Sequence, residues 1–242
     1  MMAAWAAKQH GADVKIFSPG RRSFISGAQY LHDEIPGLDL ESFILEYKKY
    51  GSPDGYATKL YGSADAPCSW REFAGGTHTA YPLGVAYDKV WAALDPSCFV
   101  NVAITPQHVQ GLLMNNDLVV STIPRPTLCV NRAHMFAEKR VYIAAKPPKE
   151  VDGSEYEIPH NRIIYNGWTS DPWYRASNIM GNVFTEYANE QPGLTRIIKP
   201  LDTDCDCWHG AVQYVGRYGK WKKGVLVHNA YYEVDFALQS MQ

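Results

Sequence analysis

Residues 3 to 17 read AAWAAKQHGADVKIF, and their pattern decides what kind of fold opens the chain. Ala3, Ala4, Ala6 and Ala7 are strong helix formers with small side chains. Gly11 stands where a helix C-terminus takes a left-handed residue, and Val14 and Ile16 alternate as in a buried strand. Helix, turn and strand in that order form the second half of a βαβ unit of the dinucleotide-binding type. A complete unit places about a dozen residues before this helix, an apolar strand followed by G-x-G-x-x-G. Here the helix starts at once after Met1. An internal start within a longer natural protein and a unit that has lost its phosphate loop both produce such an opening. An ordinary helix-turn-strand start fits these residues equally well.

The bulk composition narrows the classes. A chain of 242 residues can bury a full core and hold one large or two small domains. Hydrophobic residues at 46%, charged residues at 20% and a net charge of -2 describe a globular protein with no basic excess for nucleic acid. No apolar run approaches the roughly 18 residues of a membrane helix, and the start lacks the features of a signal peptide. The expected location is the cytoplasm. Sixteen Tyr and 7 Trp suit ligand clefts and interfaces, or the strand faces of a β-rich domain.

The five cysteines are an odd count without framework spacing, which argues against a disulfide scaffold. The run CDCWH places Cys205, Cys207 and His209 at alternating positions, on one face of any strand there. C-x-C-x-H is not a standard zinc spacing and no second ligand pair is evident, so no metal is expected.

Along the chain, residues 18 to 38 read as a long loop and residues 39 to 50, DLESFILEYKKY, as a short amphipathic helix with Asp39 near its start and Lys48 and Lys49 near its end. Residues 55 to 82 read as irregular, with turn signals at Gly62 and Gly75-Gly76, and residues 87 to 98 as a helix stopped by Pro96. Strands are expected at 12 to 17, 99 to 104 and 118 to 123. Antiparallel strands are expected within 134 to 170 and again within 172 to 200, and a last helix near His228. Hydrolase, kinase and zinc-protease signatures are absent.

Three segments are informative together: the opening helix and strand, VNVAITPQHVQGLLMNNDLVVSTIPRP, and YVGRYGKWKKGVLVHNAY. In this order they resemble the FAD-binding fold shared by UDP-galactopyranose mutases, protoporphyrinogen oxidases and amine oxidases. The resemblance implies an α/β fold, a Rossmann-like FAD/NAD(P)-binding domain missing its first strand, with an inserted β-rich substrate domain. The first would take residues 1–38, 98–130 and 205–242, and the insertions 39–97 and 131–204. It further implies FAD as cofactor, held by Ser18 in the place of the usual acidic ribose ligand, Arg22 (or Arg21) at the pyrophosphate, the Val102 backbone at the adenine, Gly216 and Arg217, and a helix start near Val227 and His228 aimed at the flavin.

Tyr174 and Arg175, in PWYRASN, would bind an anionic or nucleotide-linked small molecule. The function implied is that of an FAD-dependent oxidoreductase or mutase-like flavoprotein, with no catalytic base assigned. The alternative is a flavoprotein-derived binding module without catalytic activity. Without the glycine turn, FAD is expected to bind this chain weakly or not at all.

Overall fold

The computed structural model describes residues 1–18, 29–72, 75–149 and 153–241. It is a mixed α/β protein. Helix α1 (Met2–Gln9) leads to strand β1 (Ile16–Phe17). There follow β2 (Phe43–Gly51), α2 (Pro53–Tyr61), α3 (Ser69–Glu72), β3 (Gly76–Ala80), α4 (Leu83–Ala93), β4 (Phe99–Val100), α5 (Pro106–Asn115), β5 (Val119–Ser121) and α6 (Arg125–Leu128). The β-rich portion comprises β6 (Phe136–Ala144), β7 (Arg162–Gly167), β8 (Trp173–Ile179), β9 (Asn182–Tyr187) and β10 (Thr195–Thr203). The chain finishes with β11 (Val212–Tyr214), α7 (Gly216–Lys220) and α8 (Asn229–Gln239).

Seven strands form one sheet in the order β10-β6-β9-β8-β7-β2-β3, antiparallel at every step except β2 beside β7. Two smaller sheets are parallel pairs, β1 with β4 and β5 with β11. Parallel pairing needs long crossovers, and here they run through the intervening helices and the whole large sheet. Ile16 of β1 and Val120 of β5 pack against one core, with α1, α4 and α8 around them. That core joins segments about a hundred residues apart in the chain. A second core lies between one face of the large sheet and α2, and a third covers its other face. No helix among the described residues is long and apolar enough to cross a membrane.

Several local expectations are corrected. Residues 43–51, read as part of a helix, form β2. Leu45 and Tyr47 are buried while Ile44 is 61% exposed, a period of two that a helix cannot satisfy. Burying those two side chains contributes roughly 1.5 to 3 kcal/mol each, well above the few tenths that separate helix propensities.

Residues 53–61 form α2, although 55–61 fall in the stretch read as irregular. Ser52 caps it by accepting the Gly55 N–H at 3.0 Å, Pro53 opens the first turn, and Gly62 closes it in the left-handed region at φ +80°. Gly55 looks like a turn residue in sequence, but it is there for space: a Cβ on it would lie 2.0 Å from the Gly167 carbonyl oxygen. Helix α5 was not anticipated, although Thr105 and Pro106 supply a cap and a first-turn proline, with the Thr105 N–H donating to His108 Nδ1 at 3.1 Å. The strands of the parallel pairs are shorter than expected, at 16–17, 99–100 and 119–121, and helix α4 begins four residues earlier.

Candidate functional site

The β8–β9 ladder contains a bulge. Trp173 faces Tyr187 and Arg175 faces Glu186, so Tyr174 is an extra residue on its strand. In an unbroken strand Tyr174 and Arg175 would point to opposite faces; the bulge lets both reach one carboxylate. The Tyr174 hydroxyl donates to Glu186 Oε2, and Arg175 donates to Glu186 Oε1 through Nε at 2.9 Å and also through Nη2. Lys199, from edge strand β10, donates to Glu186 Oε2 and to the Tyr174 hydroxyl at 2.9 Å. Glu186 is 3% exposed, whereas Arg175 and Lys199 keep 23% and 18% of their side chains open. The cations therefore form the accessible side of the cluster.

Arg217 supplies a third cation. It follows Gly216, whose φ of +69° turns the chain into α7, and α7 is tied to β10 by the Tyr218 hydroxyl donating to the Ile198 carbonyl at 2.8 Å. Arg217 Nη2 makes a long bond of 3.4 Å to the Pro200 carbonyl, while its Nε is buried with no hydrogen-bond partner. Among the described residues no carboxylate pairs with it. Burial, and next the charge of Arg175, lower its affinity for its proton.

The charges respond as this geometry requires. Burial alone would raise the Glu186 carboxyl, but Arg175 and Lys199 outweigh it and hold the group well below the usual carboxylate range. Burial brings Lys199 down to about 8 with Arg175 assisting, although Glu186 opposes the shift.

A row of rings joins this cluster to the start of α8. Tyr174 meets Tyr56 at 5.8 Å between centroids, Tyr56 meets Tyr165 at 5.5 Å, and Tyr165 stacks on Tyr47 at 6.1 Å. The Tyr47 and Tyr30 hydroxyls share a hydrogen bond, Tyr30 packs on His32 at 4.7 Å, and His32 faces His228 at 6.1 Å. Burial pushes the Tyr30 hydroxyl up to about 12. His228 precedes the first turn of α8, is buried, and approaches Asp33 with Nε2 at 3.1 Å while its Nδ1 has no partner. Burial lowers it and Asp33 opposes the shift.

No family model and no curated protein matches the chain.

The residues singled out in the sequence thus fall into three neighbourhoods. Tyr174, Arg175 and Arg217 lie in or beside the charged cluster, and His228 lies at the far end of the ring row. Val227 is 43% exposed in the turn before α8. Ser18 and Val102 belong to the β1–β4 pair, where the Ser18 and Val102 N–H groups both donate to the Val100 carbonyl, at 3.0 and 2.9 Å. Arg21 and Arg22 lie outside the described residues. Glu186 and Lys199 were not anticipated, because a single charge inside VFTEY or RIIKP reads as an exposed strand position.

The expectation of no metal ligand set is also corrected. Cys129, His134, Cys205 and Cys207 bring their ligand atoms within 4.8 Å of one another. His209, grouped with Cys205 and Cys207 on sequence, is exposed in the following turn and takes no part. Its place is taken by His134, and the missing second pair is Cys129 with His134.

At the start of α1, Met2 is buried and burial lowers the proton affinity of the Met1 amino group.

Proposed function

We propose that this protein is a small-molecule binding protein on a flavoenzyme-like frame, and that it takes an anionic, nucleotide-linked ligand against Arg175, Lys199 and Arg217. The observation that carries this reading is the charge count in the cluster. Three partly buried cations face one buried carboxylate, and Arg217 has a buried Nε with nothing to donate to. An uncompensated buried cation is costly, and a phosphate or carboxylate placed between Arg217 and Arg175 relieves that cost through charge-assisted, bidentate bonds. Tyr56, Tyr165 and Tyr174 are buried core side chains behind the cluster and hold it in place rather than contact the ligand.

The FAD-dependent oxidoreductase or mutase reading is the second. It draws support from the parallel pairing of β1 with β4 and of β5 with β11, of which β1, β4 and β5 share a core with α1 and α8. Bound flavin would supply the redox or covalent chemistry.

One set of titrations separates the two. UDP, ADP and FAD are added in turn to the purified protein and to Arg217→Gln, with calorimetric detection. We expect a nucleoside diphosphate to bind the wild type. In Arg217→Gln the affinity should drop roughly ten- to a hundredfold, equivalent to about 1.5 to 3 kcal/mol for one charge-assisted bond. Stoichiometric FAD binding, or a flavin spectrum in the purified protein, would replace the binding-protein reading with the flavoenzyme reading. Absence of any anion binding overturns both.

A further inference from the structure

Three of the four ligand atoms in the cysteine cluster stand at the separations of a tetrahedral coordination shell, and the fourth, from Cys205, lies within 4.8 Å of them. A zinc ion holds thiolate sulfur at about 2.3 Å and imidazole nitrogen at about 2.0 to 2.1 Å, so the edges of its tetrahedron are about 3.8 Å between sulfurs and about 3.5 Å between sulfur and nitrogen. Cys129 Sγ and Cys207 Sγ lie 3.8 Å apart. His134 Nδ1 lies 3.3 Å from Cys129 Sγ and 3.6 Å from Cys207 Sγ.

The surroundings match as well. His134 turns its other nitrogen, Nε2, toward the Asn131 side-chain amide at 3.1 Å and Asp206 Oδ1 at 3.4 Å, the latter a carboxylate-to-imidazole contact of the kind that orients a metal-bound histidine. Arg125 is buried beside the cluster, donates to the Cys205 carbonyl at 2.7 Å, and has no acidic partner among the described residues. Three thiolates and a divalent ion carry one net negative charge, which that guanidinium would balance.

We propose that Cys129, His134, Cys205 and Cys207 hold a zinc ion in a closed, structural tetrahedral site. Four protein ligands leave no open position, so the ion takes no substrate. On binding, the three thiols release their protons to solvent and the imidazole stays neutral, with its hydrogen on Nε2 toward Asp206. The position in the fold explains the role. Cys129 ends α6 just before the chain enters β6, and Cys205 and Cys207 follow β10 on the way back to β11. Strands β6 and β10 are neighbours with Phe136 opposite Thr203, so the exit from and the return to the parallel half lie side by side. The ion clasps them together. This site stands independently of the anion-binding reading, since it shares no residue with it.

The test is metal content and cobalt substitution on the whole chain. Protein from zinc-containing medium should carry one zinc per chain by elemental analysis. Stripped with a chelator and titrated with Co²⁺, it should show tetrahedral d–d bands and thiolate charge-transfer bands that saturate at one equivalent, and its melting temperature should fall on stripping and recover on reloading. Cys129→Ser and Cys207→Ser should lose the bands, whereas Cys98→Ser, outside the cluster, should keep them. His134→Cys should retain the ion with a stronger charge-transfer band from a fourth thiolate, and Asp206→Ala should weaken affinity by about tenfold.

The wild-type titration does not depend on any variant folding. A wild type that takes up neither Zn²⁺ nor Co²⁺, a disulfide between Cys129 and Cys207 by mass spectrometry of the native protein, or undiminished Co²⁺ bands in both serine variants would each overturn the site.

Discussion

Glu186 is the residue on which the charged cluster turns. Replacing it with Gln leaves Arg175 and Lys199 buried without a counter-charge, and we expect a loss of about 3 to 5 kcal/mol in denaturant unfolding. The same group sets the acid limb of stability. Its folded-state proton affinity is depressed, so its contribution is fully present above the ordinary carboxylate range and drains away as pH falls through that range toward the folded value. Wild type should therefore lose stability steeply below about pH 4.5, and Glu186→Gln should lose much less over the same interval. Arg217 behaves oppositely. Having no carboxylate partner among the described residues, it can be changed to Gln with a melting temperature equal to or above that of wild type, while anion binding falls; a large loss of stability would mean that Arg217 is a structural cation. Tyr174, Arg175 and Arg217 stand out locally in the sequence, as an aromatic-arginine run and a G-R segment, and the fold brings them to the charged cluster. Glu186 and Lys199 do not stand out, since a carboxylate in one strand and an amine two strands away meet only when the sheet is assembled. Of the metal ligands, Cys205 and Cys207 stood together in the sequence, but Cys129 and His134 did not, because Cys129 and Cys207 become neighbours only through the pairing of β6 with β10.

At the scale of elements, the contact between α2 and the end of β7 shows how a glycine is chosen for space. A Cβ on Gly55 would sit 2.0 Å from the Gly167 carbonyl oxygen, and one on Gly167 would sit 2.0 Å from the Ser52 carbonyl oxygen. Both obstacles are backbone and cannot swing away. Gly55→Ala should therefore destabilise by about 1 to 3 kcal/mol, although alanine is the better helix former by about 1 kcal/mol. Ser52→Ala removes only the cap and should cost about 1 kcal/mol. Thermal denaturation of the two variants checks the order, and a Gly55→Ala protein as stable as wild type would show that the helix can slide off the strand. Local signals predicted β5, α8 and most of the antiparallel strands, with their ends displaced by a few residues. They failed for β2, where LESFILEYKK offers apolar residues at both helical and strand spacing and only the partners β3 and β7 decide between them.

In the whole molecule, the first and last helices close a single core. Ala6 of α1 and Val234 of α8 are both fully buried, the Tyr231 hydroxyl donates to Gln9, and His10 Nε2 meets Asp235 at 2.8 Å. Val234→Asp places an unpaired carboxylate there and should cost at least about 3 kcal/mol, with hydrogen exchange accelerating in α1 as much as in α8. Exchange confined to α8 would mean that α1 has a core of its own. The overall α/β class was legible, and the arrangement of the large sheet was not, because its strand order depends on pairings that no local pattern records. The narrow neck between α6 and β11 also governs how the protein bears load. There the Met135 N–H donates to Asp204 Oδ1 at 2.7 Å and the Thr203 hydroxyl donates to the Met135 carbonyl at 2.8 Å, beside two sulfurs 3.8 Å apart. Tension applied to the two ends of the chain crosses from Cys129 to Cys207 at this neck and leaves the sheet between them slack. The 77 residues from 130 to 206 hold about 260 Å of contour at about 3.4 Å per residue, hidden from the pull until the neck parts. Stretched between a bead and a surface, the protein should release the parallel half first and this length afterwards, in one late step whose force drops when the thiols are blocked.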